Sequence, residues 1–167
     1  AKSMELLADE GNSEIFSVMA KTTKSLSEGE IIELVKTSDL ETTEDDYFEI
    51  IGNKTAVLFS VACEIGAILG NVRNKKRNSL KAFGHSLGIA FQLQDDILDY
   101  ISYDNVLGKR VGTDIKEGKV TLPLIHAIKS SNKKEKSSIE KVLGKPNVTD
   151  KDFERIRSII LKYGGIE

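Results

Sequence analysis

Along the 167 residues apolar positions recur every three or four residues, and no run alternates strictly between apolar and polar, so the pattern predicts helices and no strands. The expected fold class is all-α. Gly11-Asn12 stops a first helix, and Asn12 or Ser13 caps a second, in which Gly29 marks either a break or a tight approach ahead of Glu30-Ile31-Ile32. Thr42 and Thr43 stand before Glu44, Asp45 and Asp46, the arrangement of an N-cap with acids in the first turn. Those acids complement the helix dipole and are assigned no chemistry. The helix they open runs to Gly70, and within it Ala62, Gly66 and Gly70 share a face that predicts the approach of another helix. "NVRNKKRN" at 71–78 and "KSSNKKEKSS" at 129–138 read as solvated polar connections. A further helix spans about Arg77 to Tyr103, another starts at Thr121-Leu122-Pro123, and a last one runs from Thr149-Asp150 to Gly164. The count is six or seven helices.

Composition narrows the function classes. The length fits one domain, and 40% hydrophobic content is enough for a packed core. A formal net charge of -2, with 24 basic against 26 acidic residues, argues against a nucleic-acid partner. The lone Cys63 excludes an internal disulfide and makes a reducing, cytoplasmic setting the default. The most apolar run, residues 56–70, is interrupted by Glu64 and falls short of the ~20 residues that cross a bilayer, so no transmembrane segment is expected. The chain opens as if partway along a helix and closes with Ile166 and Glu167 after two glycines; both ends read as cuts.

The stretch "QLQDDILDY" at 92–100 does not fit a purely structural helix. At about 100° per residue, Gln92, Asp96 and Asp99 share a narrow stripe with Asp95 beside it. Like charges one turn apart cost a helix a few tenths of a kcal/mol, and apolar neighbours such as Phe91, Leu93, Ile97 and Leu98 raise that cost by lowering the local dielectric. A solvated helix face is the ordinary explanation of such acids, but these neighbours and Gln92 argue against it. A divalent cation reverses the sign of the interaction. Magnesium takes hard oxygen ligands, usually one or two carboxylates with waters and substrate phosphates, and Asp95 and Asp99 lie ~6 Å apart along the axis.

The following segment, "LGKRVGTDIKEGKVTLPLIHA" at 107–127, supplies the complementary charge. Gly108, Gly112 and Gly118 allow the backbone to turn close to a ligand, while Lys109 and Lys119 can set ammonium groups over phosphate oxygens. Lys54 interrupts the apolar stripe of Tyr47, Ile51, Leu58 and Val61 and is followed by Thr55. Snorkelling to solvent would explain Lys54 alone; a bound anion would explain it together with the other lysines.

Taken together these residues resemble the trans-isoprenyl diphosphate synthases, the head-to-tail polyprenyl synthetase family. The resemblance runs through "MELLADEGNSEIF", "EGEIIEL", "EDDYFEIIGNKTAVLF", "GHSLGIAFQLQDDILDY", "GKRVGTDIKEGKVTLPLIHA" and "YGGIE", nearly the whole chain. "QDDILD" corresponds to that family's second aspartate-rich motif, "NKTA" to its lysine-threonine motif, and Phe91-Gln92 to its phenylalanine-glutamine motif. The resemblance implies an isoprenoid synthase helical bundle, here a single partial domain over 1–167 that lacks the N-terminal helices and the extreme C-terminus. It implies that Asp95 binds Mg2+ directly, with Asp96 and Asp99 acting directly or through metal-bound water. Lys54, Lys109 and Lys119 would hold the allylic diphosphate, Lys109 at the leaving-group oxygens. Thr55 and Gln92, with the Lys54 carbonyl, would steady the allylic cation, and Phe91 would line the substrate site. The implied reaction is the condensation of isopentenyl diphosphate with an allylic diphosphate in a homodimer.

The family also carries, upstream, a first aspartate-rich motif and arginines for isopentenyl diphosphate, and these 167 residues contain neither. The chain alone is therefore expected to be inactive. The wording of its motifs resembles the long-chain, octaprenyl-like synthases of quinone side chains more than the farnesyl or geranylgeranyl enzymes. A non-catalytic subunit of a heteromeric synthase would be expected to have lost acids or lysines from these motifs, and a terpene cyclase to carry an Asn/Ser/Glu pattern in place of "DDILD"; neither departure is present.

Overall fold

The computed structural model describes residues 2–101 and 112–166. Among them are α1 (Lys2–Glu10), α2 (Ser13–Val35), α3 (Glu44–Ile51), a π turn (Gly52–Ala56), α4 (Val57–Leu69), α5 (Asn74–Ile101), α6 (Thr113–Lys116), α7 (Leu122–Ser130), α8 (Lys133–Leu143) and α9 (Asp150–Lys162). The described residues contain no strand, as the all-α expectation requires. They divide into two compact units interleaved in sequence, Ala1–Ile31 with Glu49–Gln92, and Ile32–Phe48 with Leu93–Glu167.

The first unit is built from α1, most of α2, the π turn, α4 and the longer part of α5. Asn12 caps α2 by accepting from the amides of Glu14 and Ile15 at 3.0 and 3.2 Å. Gly29 is an approach and not a break: α2 continues through it, and a Cβ there would lie 2.9 Å from that of Asn53. Gly88 on α5 sits still closer, since a Cβ would fall 2.5 Å from the Ala56 Cα. Among the described residues the expected approach on the other face of α4 is not found: Ala62 and Gly66 are exposed, and nothing lies within 4 Å of a Cβ built on Gly66.

Two expected connections prove helical. Residues 74–78 form the first turn of α5, and Arg77 is no solvated loop residue: it donates to Glu64 at 2.8 Å and also pairs with Glu14. Glu64 is only 6% exposed, and Lys81 reaches its other oxygen at 2.9 Å. A carboxylate taken out of water needs such partners, and the basic run supplies them. The run from Glu44 to Leu69 is long and apolar enough by length and composition to cross a membrane; Ile51, Ala56, Val61 and Ala67 are buried in the protein, while Leu58 and Leu69 are exposed. Lys133 to Leu143, in the second expected linker, is α8. Asn132 and Glu135 form a capping box at its start, and Ile139, Val142 and Leu143 are buried.

The second unit gathers most of α3, the end of α5 and α6 to α9 around Tyr100, Ile115, Leu124, Ile125, Ile156 and Ile160. Thr43 and Asp46 make a reciprocal cap for α3, and Lys36 pairs with Asp46 at 3.0 Å. Thr149 and Asp152 do the same for α9. Gly112 has φ 78°, a left-handed conformation, and the Phe153 ring occupies the space a Cβ would need. Arg157 on α9 donates from Nε to the Tyr100 carbonyl at 2.7 Å, tying α9 to the end of α5.

Glycine at 88 and at 66 should respond to alanine with opposite signs. Gly88→Ala should lower the urea-derived unfolding free energy by about 1–3 kcal/mol through overpacking, despite the ~1 kcal/mol by which alanine favours a helix. Gly66→Ala, on open surface, should raise it by about 0.5–1 kcal/mol. A stabilised Gly88→Ala would mean that α5 can move off the π turn freely.

Candidate active site

Lys54 and Thr55 lie in the π turn, where the Val57 amide donates to the Gly52 carbonyl five residues back. That bond leaves the Asn53 carbonyl without Val57 as its donor and widens the helix where both side chains emerge. Such single π turns inside α-helices recur at functional sites. Lys54 Nζ pairs with Glu30 at 2.9 Å and remains a third exposed. The Thr55 hydroxyl donates to Gln92 Oε1 at 2.7 Å, so the structure brings together two residues that the motifs only paired by role. One residue earlier on α5, Phe91 is 53% exposed, with its ring tilted against Phe59 at a centroid distance of 5.4 Å.

In the second unit the three aspartates diverge. Asp95 is exposed. Asp96 is 4% exposed and accepts from the Tyr47 hydroxyl at 2.5 Å. Asp99 accepts from the amides of Thr113 and Asp114 at 3.2 and 3.0 Å, while its carbonyl receives the Gly112 amide at 3.0 Å. Residues 112–114 are thereby folded onto the acidic end of α5. Lys119 follows, 2.7 Å from Glu117 and 3.6 Å from Asp114. Lys109 lies outside the described residues.

The electrostatics record the crowding. Burial, then the charges of Asp99 and Asp96, push the Asp114 carboxyl up to about 7. Burial works against the Lys119 ammonium, but Glu117, Asp114 and Glu33 together raise its pKa above the usual lysine range. Burial and then the Asp96 charge drive the Tyr47 phenol upward, so it stays protonated and donates. Among the described residues no three His, Cys, Asp or Glu side chains converge into a metal cluster. The donor set is nevertheless hard oxygen, in a place where negative charge is already costly, and it fits an ion held by one or two carboxylates and the phosphates of a ligand.

Tyr47 and Asp114 were not singled out from sequence. Tyr47 counted as part of an apolar stripe, although a buried tyrosine hydroxyl demands a partner. Asp114 sat inside the quoted glycine-rich block without a role.

The polyprenyl synthetase family profile matches residues 1–160, and the chain belongs to that family. It is 40% identical over 142 residues to the octaprenyl diphosphate synthase of Haemophilus influenzae, an alignment covering 85% of this chain and 43% of the relative. Among solved structures it is similar to a polyprenyl synthase from Caulobacter crescentus complexed with calcium and isoprenyl diphosphate, with a TM-score of 0.91 and 38% identity over 98% of this chain and 50% of that one. It is also similar to a decaprenyl diphosphate synthase from Rhodobacter capsulatus, with a TM-score of 0.89 and 36% identity over the same shares. The fold is therefore that of the helical isoprenoid synthases, and the chain spans about half the length of the relatives it matches.

The Lys54–Glu30 pair is a half-exposed ion pair, worth up to about 1 kcal/mol. Glu30→Gln should accordingly shift stability by less than about 1 kcal/mol in urea titration. A larger loss would make the pair a structural lock, with Lys54 unable to turn to another anion.

Proposed function

We propose that the chain supplies the second aspartate-rich part of a trans-polyprenyl diphosphate synthase. That enzyme joins isopentenyl diphosphate head-to-tail to an allylic diphosphate and releases pyrophosphate. The observation that carries this reading is the crowding of Asp96, Asp99 and Asp114 beside Lys119. Folding alone gains nothing from three acids and raises one of them to about 7; a cation together with a diphosphate would relieve it. The calcium and isoprenyl diphosphate in the complex of the Caulobacter crescentus relative support the same chemistry.

Magnesium, when bound, would neutralise charge building on the departing diphosphate. The chain's own residues would do the rest. Asp95, exposed on α5, presents its carboxylate outward, and Asp99, fixed by two amides, is pre-oriented. Lys54, Lys119 and Lys109 would hold diphosphate oxygens, stabilising them in advance of bond breaking. Thr55 and Gln92, already joined, would turn oxygen atoms towards the positive allylic carbon. The rings of Phe91 and Phe59 would keep water away from it. In the reaction the allylic C–O bond breaks and its electron pair leaves on the diphosphate. The double bond of isopentenyl diphosphate then attacks the allylic carbon, and the proton lost in restoring a double bond passes to the departing diphosphate.

The octaprenyl and decaprenyl synthases among the relatives support a long product; the quinone side chain, the homodimer and the cytoplasmic setting rest on the family resemblance alone. The 167 residues by themselves, with one aspartate-rich motif, would make no product.

Radiolabelled isopentenyl diphosphate, an allylic diphosphate and magnesium, given to the complete gene product, should yield polyprenyl chains whose length chromatography reads. Short products would select the farnesyl or geranylgeranyl alternative, and none at all the non-catalytic subunit. Asp95→Ala should lower turnover by about a hundredfold or more with the helical circular dichroism near native. Unchanged turnover would remove Asp95 from the metal site. With magnesium, inorganic pyrophosphate at about a hundred times its dissociation constant should stabilise the parent by ~2.7 kcal/mol, and Lys54→Ala much less. Equal protection of both would mean that Lys54 only snorkels.

A further inference from the structure

Periodicity puts Asp95, Asp96 and Asp99 on neighbouring lines of α5, yet the structure gives Asp96 a different environment from Asp95. Asp95 is exposed, whereas Asp96 is turned inward and 4% exposed, with Oδ2 at 2.5 Å from the hydroxyl of Tyr47, itself 3% exposed. Tyr47 is held from its own side. Its amide donates to the Thr43 carbonyl at 3.0 Å, and the Thr43–Asp46 cap and the Lys36–Asp46 pair fix the first turn of α3 around it. The hydroxyl therefore acts as a fixed point for the carboxylate.

We propose that Tyr47 is a positioning residue for the aspartate-rich motif: by holding Asp96 inward it sets the rotation of α5, so that Asp95 faces outward and Asp99 meets the amides of Thr113 and Asp114. The proposal rests on the synthase reading above. It divides the motif by task, with Asp95 and Asp99 turned to the metal and diphosphate and Asp96 serving as the anchor that orients them. The sensitivity is steep, because displacements on the order of 1 Å at a binding constellation can change its performance about a hundredfold. Phenylalanine at 47 would keep the ring and its packing and remove one oxygen, leaving a buried carboxylate one donor short.

The test is a calorimetric titration of magnesium into the complete gene product with inorganic pyrophosphate held constant, alongside thermal denaturation without ligand. Tyr47→Phe should raise the magnesium concentration at half-saturation about tenfold, the scale of one lost hydrogen bond to a buried carboxylate. Asp96→Ala, which reports the same link from the other partner should Tyr47→Phe fail to fold, should raise it similarly. The double variant should be no worse than the more affected single one, since both break the same link. Asp95→Ala should abolish the magnesium response with either residue at 47. A Tyr47→Phe protein that melts earlier but has the parent's half-saturation would overturn the proposal, as would multiplying effects in the double variant. A parent protein that shows no magnesium-dependent pyrophosphate binding would instead overturn the synthase reading, and the assignment of Tyr47 with it.

Discussion

Taking a carboxylate out of water costs several kcal/mol unless hydrogen bonds and opposite charge replace the lost hydration. Both units of this chain do so, and each is organised around the solution. In the first, Glu64 on α4 is enclosed by Arg77 and Lys81 from the opening turns of α5, and Arg77 reaches on to Glu14 of α2. Three helices are thereby tied together through Arg77, which bridges one acid on α4 and another on α2. In the second, Asp96 is met by the neutral hydroxyl of Tyr47. The two solutions differ in consequence. An ammonium and a guanidinium cancel the charge of Glu64, whereas the phenol donates to Asp96 without bringing a charge of its own, and the field of Asp96 is felt at Asp114. One arrangement is inert, and the other leaves the neighbourhood receptive to a cation.

Much of this was legible from residue order, and what escaped did so for identifiable reasons. The caps at Asn12, Thr43 and Thr149 are local and were found where side chain and amide are two or three residues apart. The motif residues Lys54, Thr55, Gln92 and the aspartates were readable because their types are costly in a core helix. The ion pairs of Arg77, which the sequence places where a solvated connection meets the start of α5, escape a local reading because its partners lie 13 and 63 residues away. The helix of residues 133–143 was hidden by a polar opening whose buried stripe, Ile139, Val142 and Leu143, comes only at its end. Ala62 and Gly66 show the converse: small residues permit a close neighbour but do not supply one.

The candidate site itself divides along the same line. Residue types and spacing singled out the candidate side chains, and tertiary structure decides how they are oriented. Nothing in "DDILD" says that the second acid faces Tyr47 and the third faces the amides of 113 and 114. Those directions come from α3 and from the opening of α6, two stretches far apart in sequence.

The π turn at Gly52–Ala56 has a consequence for how the gene can change. A π turn is in effect one residue more than an α-helix would use, so losing a single codon here would let the helix close into regular α geometry with no break in its hydrogen bonding. Circular dichroism would register an intact or even longer helix. Because the wide turn absorbs that extra residue, α4 would keep its rotation about the axis relative to Ile50 and Ile51, with Val61 and Ala67 inside and Glu64 still beside Arg77 and Lys81. What the deletion would remove is the widening from which Lys54 and Thr55 emerge. The unit could thus keep its fold while the placement of those two side chains changed, a loss that helicity alone would not reveal.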